Sequence, residues 1–187
     1  MAINGSSSSG DAARILTKLL FCISKELSAD KHWQAALASA VTSDRGIHLG
    51  IFVEPYLSYV LDGTKSVESR FSKNRCPPWN RVFAGDILLI KRAGGPIVGI
   101  ATVAQVWSYP LNPAKVGELK TEFSESLRAQ DPSFWKRRLH SAYATLMRIE
   151  HVRSVTELAF AKRDRRGWVI LQSRQEVLFD ADEGATA

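Results

Sequence analysis

The chain has 187 residues, of which 45% are hydrophobic and 24% are charged, as in an ordinary soluble globular protein. The net charge of +6 and pI of about 9.5 favour an anionic partner such as RNA, DNA or an acidic membrane surface. No apolar run approaches the roughly 18 residues of a membrane span, and the two cysteines lie in unlike contexts. We therefore expect a cytoplasmic protein with neither a membrane anchor nor a disulfide framework.

The N-terminal third of the chain has two helical patterns behind a serine-rich start. Residues 1–10 lack the basic and apolar regions of a signal peptide and are predicted to be a disordered leader. Residues 11–27 carry apolar side chains at helical spacing, with Asp11 as the cap. A second helix is predicted over residues 30–41. The helical extension, residues 11–45, either packs on the main domain or forms a homodimer contact.

From residue 46 the pattern changes to short strands separated by turns and helices. Pro55 starts a short helix that Gly63 ends, and Gly94-Gly95 forms a hairpin turn. The order of elements predicts an α+β fold with a mixed or antiparallel β-barrel over residues 46–180, followed by a disordered tail over residues 181–187. Strands are expected at residues 47–53, 66–71, 87–90, 97–106, 142–152 and 168–171, and the later helices open at Asn112-Pro113 and Asp131-Pro132.

Three charged residues cluster directly after the glycine turn. Lys65 lies in the turn, where it is either a solvated lysine or a group that holds a phosphate and, if desolvated, acts as a base. Glu68 and Arg70 lie two positions apart in the next strand and so share one face of it. They form either a surface ion pair or the wall of a groove. In the groove, Glu68 would accept a hydrogen bond from a base edge and Arg70 would hold a phosphate.

Aromatic and basic residues near this cluster extend the candidate site. Tyr56 and Tyr59 are neighbours on the preceding helix, and each either packs in the core or stacks on a base. The following loop interleaves basic residues with a tryptophan, as single-strand-binding surfaces do. Two further basic runs occupy residues 136–138 and 162–166. The candidate binding residues of the loop are Lys73, Arg75, Trp79 and Arg81.

Other chemistry has little support in the sequence. The four histidines show no metal-ligand spacing with the cysteines, and Gly94-Gly95 lacks the spacing of a phosphate loop. We therefore predict no metal and no cofactor.

The segment over residues 54–70 resembles the signature of ASCH domains, which are small PUA-like β-barrels linked to RNA and modified nucleosides. A Pro-Tyr pair precedes a Gly-x-Lys-x-x-Glu-x-Arg pattern whose charged positions are Lys65, Glu68 and Arg70. The motif is most similar to the endothelial-overexpressed lipopolysaccharide-associated factor type. The resemblance implies a PUA-like (ASCH) barrel with a cleft lined by these three side chains. The usual glutamine before Pro-Tyr is Glu54, which as a carboxylate can only accept hydrogen bonds.

The resemblance implies binding of single-stranded RNA or a modified nucleoside, with a hydrolase as the alternative. The family's amidohydrolases use a lysine and a threonine three residues on, but Glu68 occupies the threonine position and counts against deacetylation. A hydrolase, either a ribonuclease or a modified-nucleoside amidohydrolase, would use Lys65 with Glu68 or Tyr59, and the position of Tyr59, six residues before the lysine, suits the ribonuclease. Ser173 is the candidate for its distant serine, and Glu118 and Glu122 are the candidates for a hydrolase glutamate. A third hypothesis is an interaction protein that uses the N-terminal helices.

Overall fold

The computed structural model describes residues 7–42, 44–161 and 165–174. This part of the chain contains five helices and six strands. The helices are α1 (Ser7–Glu26), α2 (Lys31–Val41), α3 (Tyr56–Leu61), α4 (Pro113–Phe123) and α5 (Pro132–Arg138). The strands are β1 (Ile47–Phe52), β2 (Val67–Ser72), β3 (Ile87–Arg92), β4 (Ile97–Pro110), β5 (Tyr143–Leu158) and β6 (Trp168–Gln172).

The strands form one curled, mixed sheet in the order β2-β5-β4-β3-β1-β6, which makes half of a barrel. β1 pairs with β3 in parallel, and the other neighbours are antiparallel. The two longest strands, β4 and β5, pair with three register shifts, and such irregularities bend a sheet. The predicted α+β class is confirmed. The prediction allowed a mixed or an antiparallel sheet, and the sheet is mixed.

The alternation of side chains in β1 divides the core between the two faces of the sheet. Ile47 and Leu49 pack with α1 and α2 on the outer face, whereas Phe52 packs with α3 on the concave face. The outer contact includes Trp33, which is fully buried and donates from Nε1 to the carbonyl oxygen of His151 at 3.1 Å. The N-terminal helices therefore pack on the main domain, as one of the two predicted arrangements requires.

A third apolar cluster places α4 and α5 beside β2 and β5. Leu119 of α4 and Phe134 and Trp135 of α5 pack there with Leu146 of β5. Both helices begin as predicted, because Asn112 and Asp131 accept hydrogen bonds from the first-turn backbone amides. This docking places Arg138, at the C-terminal end of α5, in the lining of the same cavity as Arg70 of β2.

A buried polar network anchors the start of β3. The Asp86 carboxylate lies 3.0 Å from His48 Nε2 and accepts backbone N–H bonds from Gly46 and Phe83, both at 2.8 Å. Burial alone raises the pKa of Asp86, but the hydrogen bonds from His48 and the two amides outweigh it and hold the pKa below its ordinary value. The aspartate of the predicted Gly-Asp turn thus accepts the hydrogen bonds that fix the neighbouring loop and β1 to the start of β3.

Several boundaries differ from the prediction. Residues 7–10, predicted as part of the leader, form the first turns of α1, so Asp11 lies inside the helix and does not cap it. β4 and β5 extend to Pro110 and Leu158, because each continues along its partner beyond the apolar alternation that marks it in the sequence. Residues 1–6 and 175–187, which include the predicted tail, lie outside the described residues. No helix in the described part is long and apolar enough to cross a membrane.

Candidate functional site

The turn between α3 and β2 directs Lys65 into the protein. Gly63 has a positive φ of 78°, which only glycine adopts without strain. Asp62 then accepts hydrogen bonds from the backbone N–H and the hydroxyl of Thr64, at 2.9 and 2.7 Å. The Lys65 amide donates to the Tyr59 carbonyl oxygen at 2.7 Å. Lys65 is consequently only 4% exposed, so it is not a solvated turn lysine.

Lys65, Glu68 and Arg70 form a continuous charged group, which we call the triad. Lys65 Nζ lies 2.6 Å from Glu68 Oε2, and Arg70 Nε lies 2.9 Å from Glu68 Oε1. Lys65 Nζ also donates to the Val67 carbonyl oxygen. Glu68 is 6% exposed, so a buried carboxylate is held between two cations. The side chains of Glu68 and Arg70 share a face of β2, as predicted from their spacing.

The pKa values of Lys65 and Glu68 are both lowered, but for different reasons. Burial lowers the pKa of Lys65, and the attraction of Glu68 only partly offsets this effect. Burial alone raises the pKa of Glu68, but the charges of Lys65 and Arg70 outweigh it and leave the pKa below its ordinary value. Glu68 is therefore held as a carboxylate, while Lys65 loses its proton more readily than a free lysine.

Arg70 also ties the two edges of the half-barrel together. From edge strand β2 it donates to the carbonyl oxygens of Ile51 in β1 and of Gly167 just before β6, at 3.1 and 2.9 Å. Its guanidinium lies 5.2 and 5.3 Å from the ring centroids of Phe52 and Trp168. The Nε–H is not aligned for a hydrogen bond, so its contact with Glu68 is an ion pair. Arg70 thus connects the two sides of the half-barrel in addition to pairing with Glu68.

The triad lies at the base of a cavity of about 180 Å³, which we call the cleft. Arg138, at the end of α5, also borders it, and its guanidinium lies 3.8 Å from the Phe134 ring centroid. Burial lowers the pKa of Arg138, which nonetheless stays a cation because guanidinium is so basic. The cleft therefore has three cations against one carboxylate. Its remaining lining residues are Ile51, Phe52, Val53, Tyr56, Ser69, Leu127 and Phe134.

The fold is shared with known structures, although no family model and no curated protein matches the chain. The ASCH protein of Zymomonas mobilis aligns over 69% of this chain and 90% of its own, with a TM-score of 0.54 and 12% identity. A serine-to-alanine variant of that protein gives a TM-score of 0.55 at the same identity and coverage. A tyrosine-to-phenylalanine variant gives 0.54 at 12% identity, over 68% of this chain and 91% of its own.

The fold is that of an ASCH domain. The alignment covers most of the Zymomonas mobilis protein, and at 12% identity it shows the fold alone. The PUA-like barrel inferred from the sequence motif is therefore confirmed.

Within the ASCH fold, the two tyrosines of α3 are placed differently. Tyr56 borders the cleft and lies 6.3 Å, between ring centroids, from Phe134. Tyr59 is not part of the lining; its ring lies 5.4 Å from the guanidinium carbon of Arg128. Glu54 is exposed and accepts hydrogen bonds from the N–H and hydroxyl of Ser58, so its carboxylate supports the start of α3.

The loop residues predicted to bind RNA lie outside the cleft lining of the ASCH fold. Arg75 and Trp79 pack on the Tyr143 ring, with 5.4 and 4.8 Å to its centroid, and Lys73 is exposed. Arg81 and Ser173 border a separate depression. The two glutamates considered for a hydrolase, Glu118 and Glu122, are exposed on α4.

Arg138 is the charged residue of the cleft that the sequence motif does not connect with the triad. The basic run over residues 136–138 is its signal in the sequence, but nothing local to α5 indicates that the helix ends beside Lys65. Among the described residues, no group of three potential metal ligands occurs. The basic residues Lys162 and Arg163 lie outside the described part.

Proposed function

We propose that the chain is a member of the ASCH family that binds single-stranded RNA, or a nucleotide, through the cleft. The motif further supports the endothelial-overexpressed lipopolysaccharide-associated factor type within that family. The observation that carries the proposal is the triad itself. Burial of ions carries a desolvation cost that pairing repays only in part, so stability alone gives little reason for the triad, and these ions border an open cleft between aromatic side chains.

The size of the cleft favours one planar ring as its occupant. Pockets that enclose drug-sized ligands measure roughly 300–1,000 Å³. The volume here is about 180 Å³, which suits a single nucleobase better than a whole nucleotide. Tyr56, Phe134 and the stacked guanidinium of Arg138 provide flat surfaces against which a base can pack.

The triad supplies complementary groups for a base edge. A lysine ammonium has three N–H donors, and among the described residues Lys65 uses two, to Glu68 and Val67. The third donor is available to a ring nitrogen or carbonyl oxygen. Glu68, held ionised, can accept from an exocyclic amino group. The excess positive charge around it favours the neighbouring phosphates.

A hydrolase acting on RNA or a modified nucleoside is the second candidate, and the lowered pKa of Lys65 favours it. The other groups fit catalysis less well. The low pKa of Glu68 makes its carboxylate a weak proton acceptor, and Tyr59 lies outside the cleft lining. Binding therefore explains the site with fewer requirements than catalysis does.

A titration of a short, fluorescently labelled oligouridylate tests the proposal, with anisotropy recorded at about 50 and 200 mM salt. The variants are Lys65→Met and, as a matched control, Lys115→Met. Lys115 also pairs with a glutamate three residues on, Glu118, but on the exposed surface of α4. Loss of one charge-assisted hydrogen bond costs about 1.5–3 kcal/mol, so Lys65→Met should weaken binding roughly ten- to a hundredfold. The control should bind as the wild type does.

The integrity of the RNA at the end of the titration separates the two candidate functions. Intact RNA with salt-sensitive, Lys65-dependent binding supports a binding module. Cleavage that disappears in Lys65→Met identifies a nuclease. If the wild-type protein shows no binding at the lower salt concentration, the proposal is wrong.

A further inference from the structure

A second depression, of about 520 Å³, lies next to the cleft. Ile51 borders both, and the Gly167 carbonyl that accepts from Arg70 lies on the wall of the second one. Its cationic lining residues are Lys91, Arg165 and Arg166. The hairpin glycines Gly94 and Gly95, which have no side chains of their own, form another part of the wall. We call this depression the glycine-lined pocket.

Lys91 is the informative residue of the glycine-lined pocket. It is only 6% exposed, yet in the described part of the chain no carboxylate pairs with it. Its ammonium donates to the carbonyl oxygen of Gly95 and, at a long 3.4 Å, to that of Arg92. A buried cation without a counter-ion is costly, and among the described residues at least one of the three Lys91 donors has no acceptor.

The glycine-lined pocket and the cleft share one wall residue, Ile51. Lys91 of β3 is directly opposite Ile51 of β1, and paired strands lie about 4.8 Å apart. Arg165 is exposed and, within the described residues, makes no ion pair or hydrogen bond, so its guanidinium is available to a ligand. Directly paired residues share a face of the sheet, so Lys91 lies on the outer face with Ile51, and an anion between Lys91 and Arg165 would be separated from a group in the cleft by the chain at Ile51.

We propose that the glycine-lined pocket binds the phosphate that follows or precedes the base in the cleft, with Lys91 and Arg165 as its ligands. This inference rests on the proposed function and narrows it. The ligand is then a phosphodiester-linked oligonucleotide and not a free modified nucleoside, because a nucleoside has no phosphate for Lys91 to neutralise.

Competition experiments with uridine and the dinucleoside monophosphate UpU test this inference, each displacing the labelled oligouridylate. The proteins are wild type, Lys91→Met, Arg165→Ala and, as a control, Arg14→Ala on the exposed face of α1. The wild type and the control should bind UpU about tenfold or more tightly than uridine, the value of one charge-assisted contact. Lys91→Met should remove most of this gain, and Arg165→Ala should reduce it about threefold. Uridine affinity should stay unchanged in both.

The salt dependence gives an independent readout. Each lost phosphate contact should lower the slope of log affinity against log salt by about 0.7 for a single strand. Because Arg165 is exposed, Arg165→Ala should fold normally, and it reports on the pocket even if Lys91→Met folds poorly. This inference alone is overturned if the wild type binds uridine and UpU equally, or if both pocket variants keep the full preference for UpU. Failure of every probe, including the labelled oligouridylate, to bind wild type overturns the proposed function as well.

Discussion

The charge balance of the triad makes a sharp prediction for Glu68→Gln. This substitution keeps the size of the side chain and one hydrogen-bond acceptor for Lys65, but it removes the negative charge. Lys65, 4% exposed, and Arg70 then become two neighbouring cations without a counter-ion. Removing one partner of a buried ion pair costs about 3–5 kcal/mol, because the remaining charge stays desolvated. We expect a loss of that size in the free energy of unfolding.

The reciprocal substitution, Lys65→Met, should cost less. It removes a buried ammonium together with its desolvation penalty, and Glu68 keeps its ion pair with Arg70 at 2.9 Å. We expect a loss of about 1.5–3 kcal/mol, as for a hydrogen bond to a charged group. Both substitutions remove the Lys65–Glu68 ion pair, but only Glu68→Gln leaves two cations without a counter-ion, so the difference between them reports mainly on the unpaired charge.

Urea unfolding followed by tryptophan fluorescence gives both free energies by linear extrapolation. In a chain of this length, about 2–4 °C of Tm corresponds to 1 kcal/mol, so Glu68→Gln should lower Tm by roughly 6–20 °C. Glu118→Gln is the matched control. It breaks the exposed Lys115–Glu118 pair at the same sequence spacing and should leave the midpoint unchanged.

Two outcomes would refute the reasoning. A Glu68→Gln midpoint equal to that of the control would mean that the triad is hydrated despite its burial. A larger loss for Lys65→Met than for Glu68→Gln would mean that the Lys65 contacts, and not the charge on Glu68, stabilise this part of the barrel.

Four further predictions follow from the same structure. The pKa of Asp86 is lower in the folded than in the unfolded chain, so its contribution to stability is complete above its ordinary pKa and is lost as pH falls through the folded value. Acid unfolding of Asp86→Asn should lack this loss. If the variant loses stability with falling pH as the wild type does, the prediction is wrong. Arg70→Lys cannot reproduce both carbonyl contacts and should lower the free energy of unfolding, measured in urea, by about 2 kcal/mol. An unchanged free energy would show that other contacts hold the edges of the half-barrel together. Trp33→Phe loses the bond to the His151 carbonyl and should cost about 1–2 kcal/mol; a neutral effect would show that water replaces it. If the N-terminal helices form a homodimer through exposed Phe21, Phe21→Asp should sediment as a monomer, and a monomeric wild type would refute that contact.

Much of the fold could be predicted from the sequence because its signals are local. The alternation of β1, the glycine turn after α3 and the caps Asn112 and Asp131 each depend on residues within four positions of one another. The same locality explains why Glu68 and Arg70 could be assigned to one face of β2. The ends of β4 and β5 were harder, because a strand ends where its partner ends.

Local patterns therefore determined the elements and the order of Lys65, Glu68 and Arg70, and only the tertiary structure decided what surrounds them. Burial of Lys65, the docking of α5 that brings Arg138 to the cleft, and the exclusion of Tyr59 from its lining all depend on surfaces distant in sequence. So does the pairing of β1 with β3, which sets Lys91 opposite Ile51, a residue of the cleft lining. Charge in a sequence is independent of the fold, but its desolvation and its neighbours depend on which surfaces pack together.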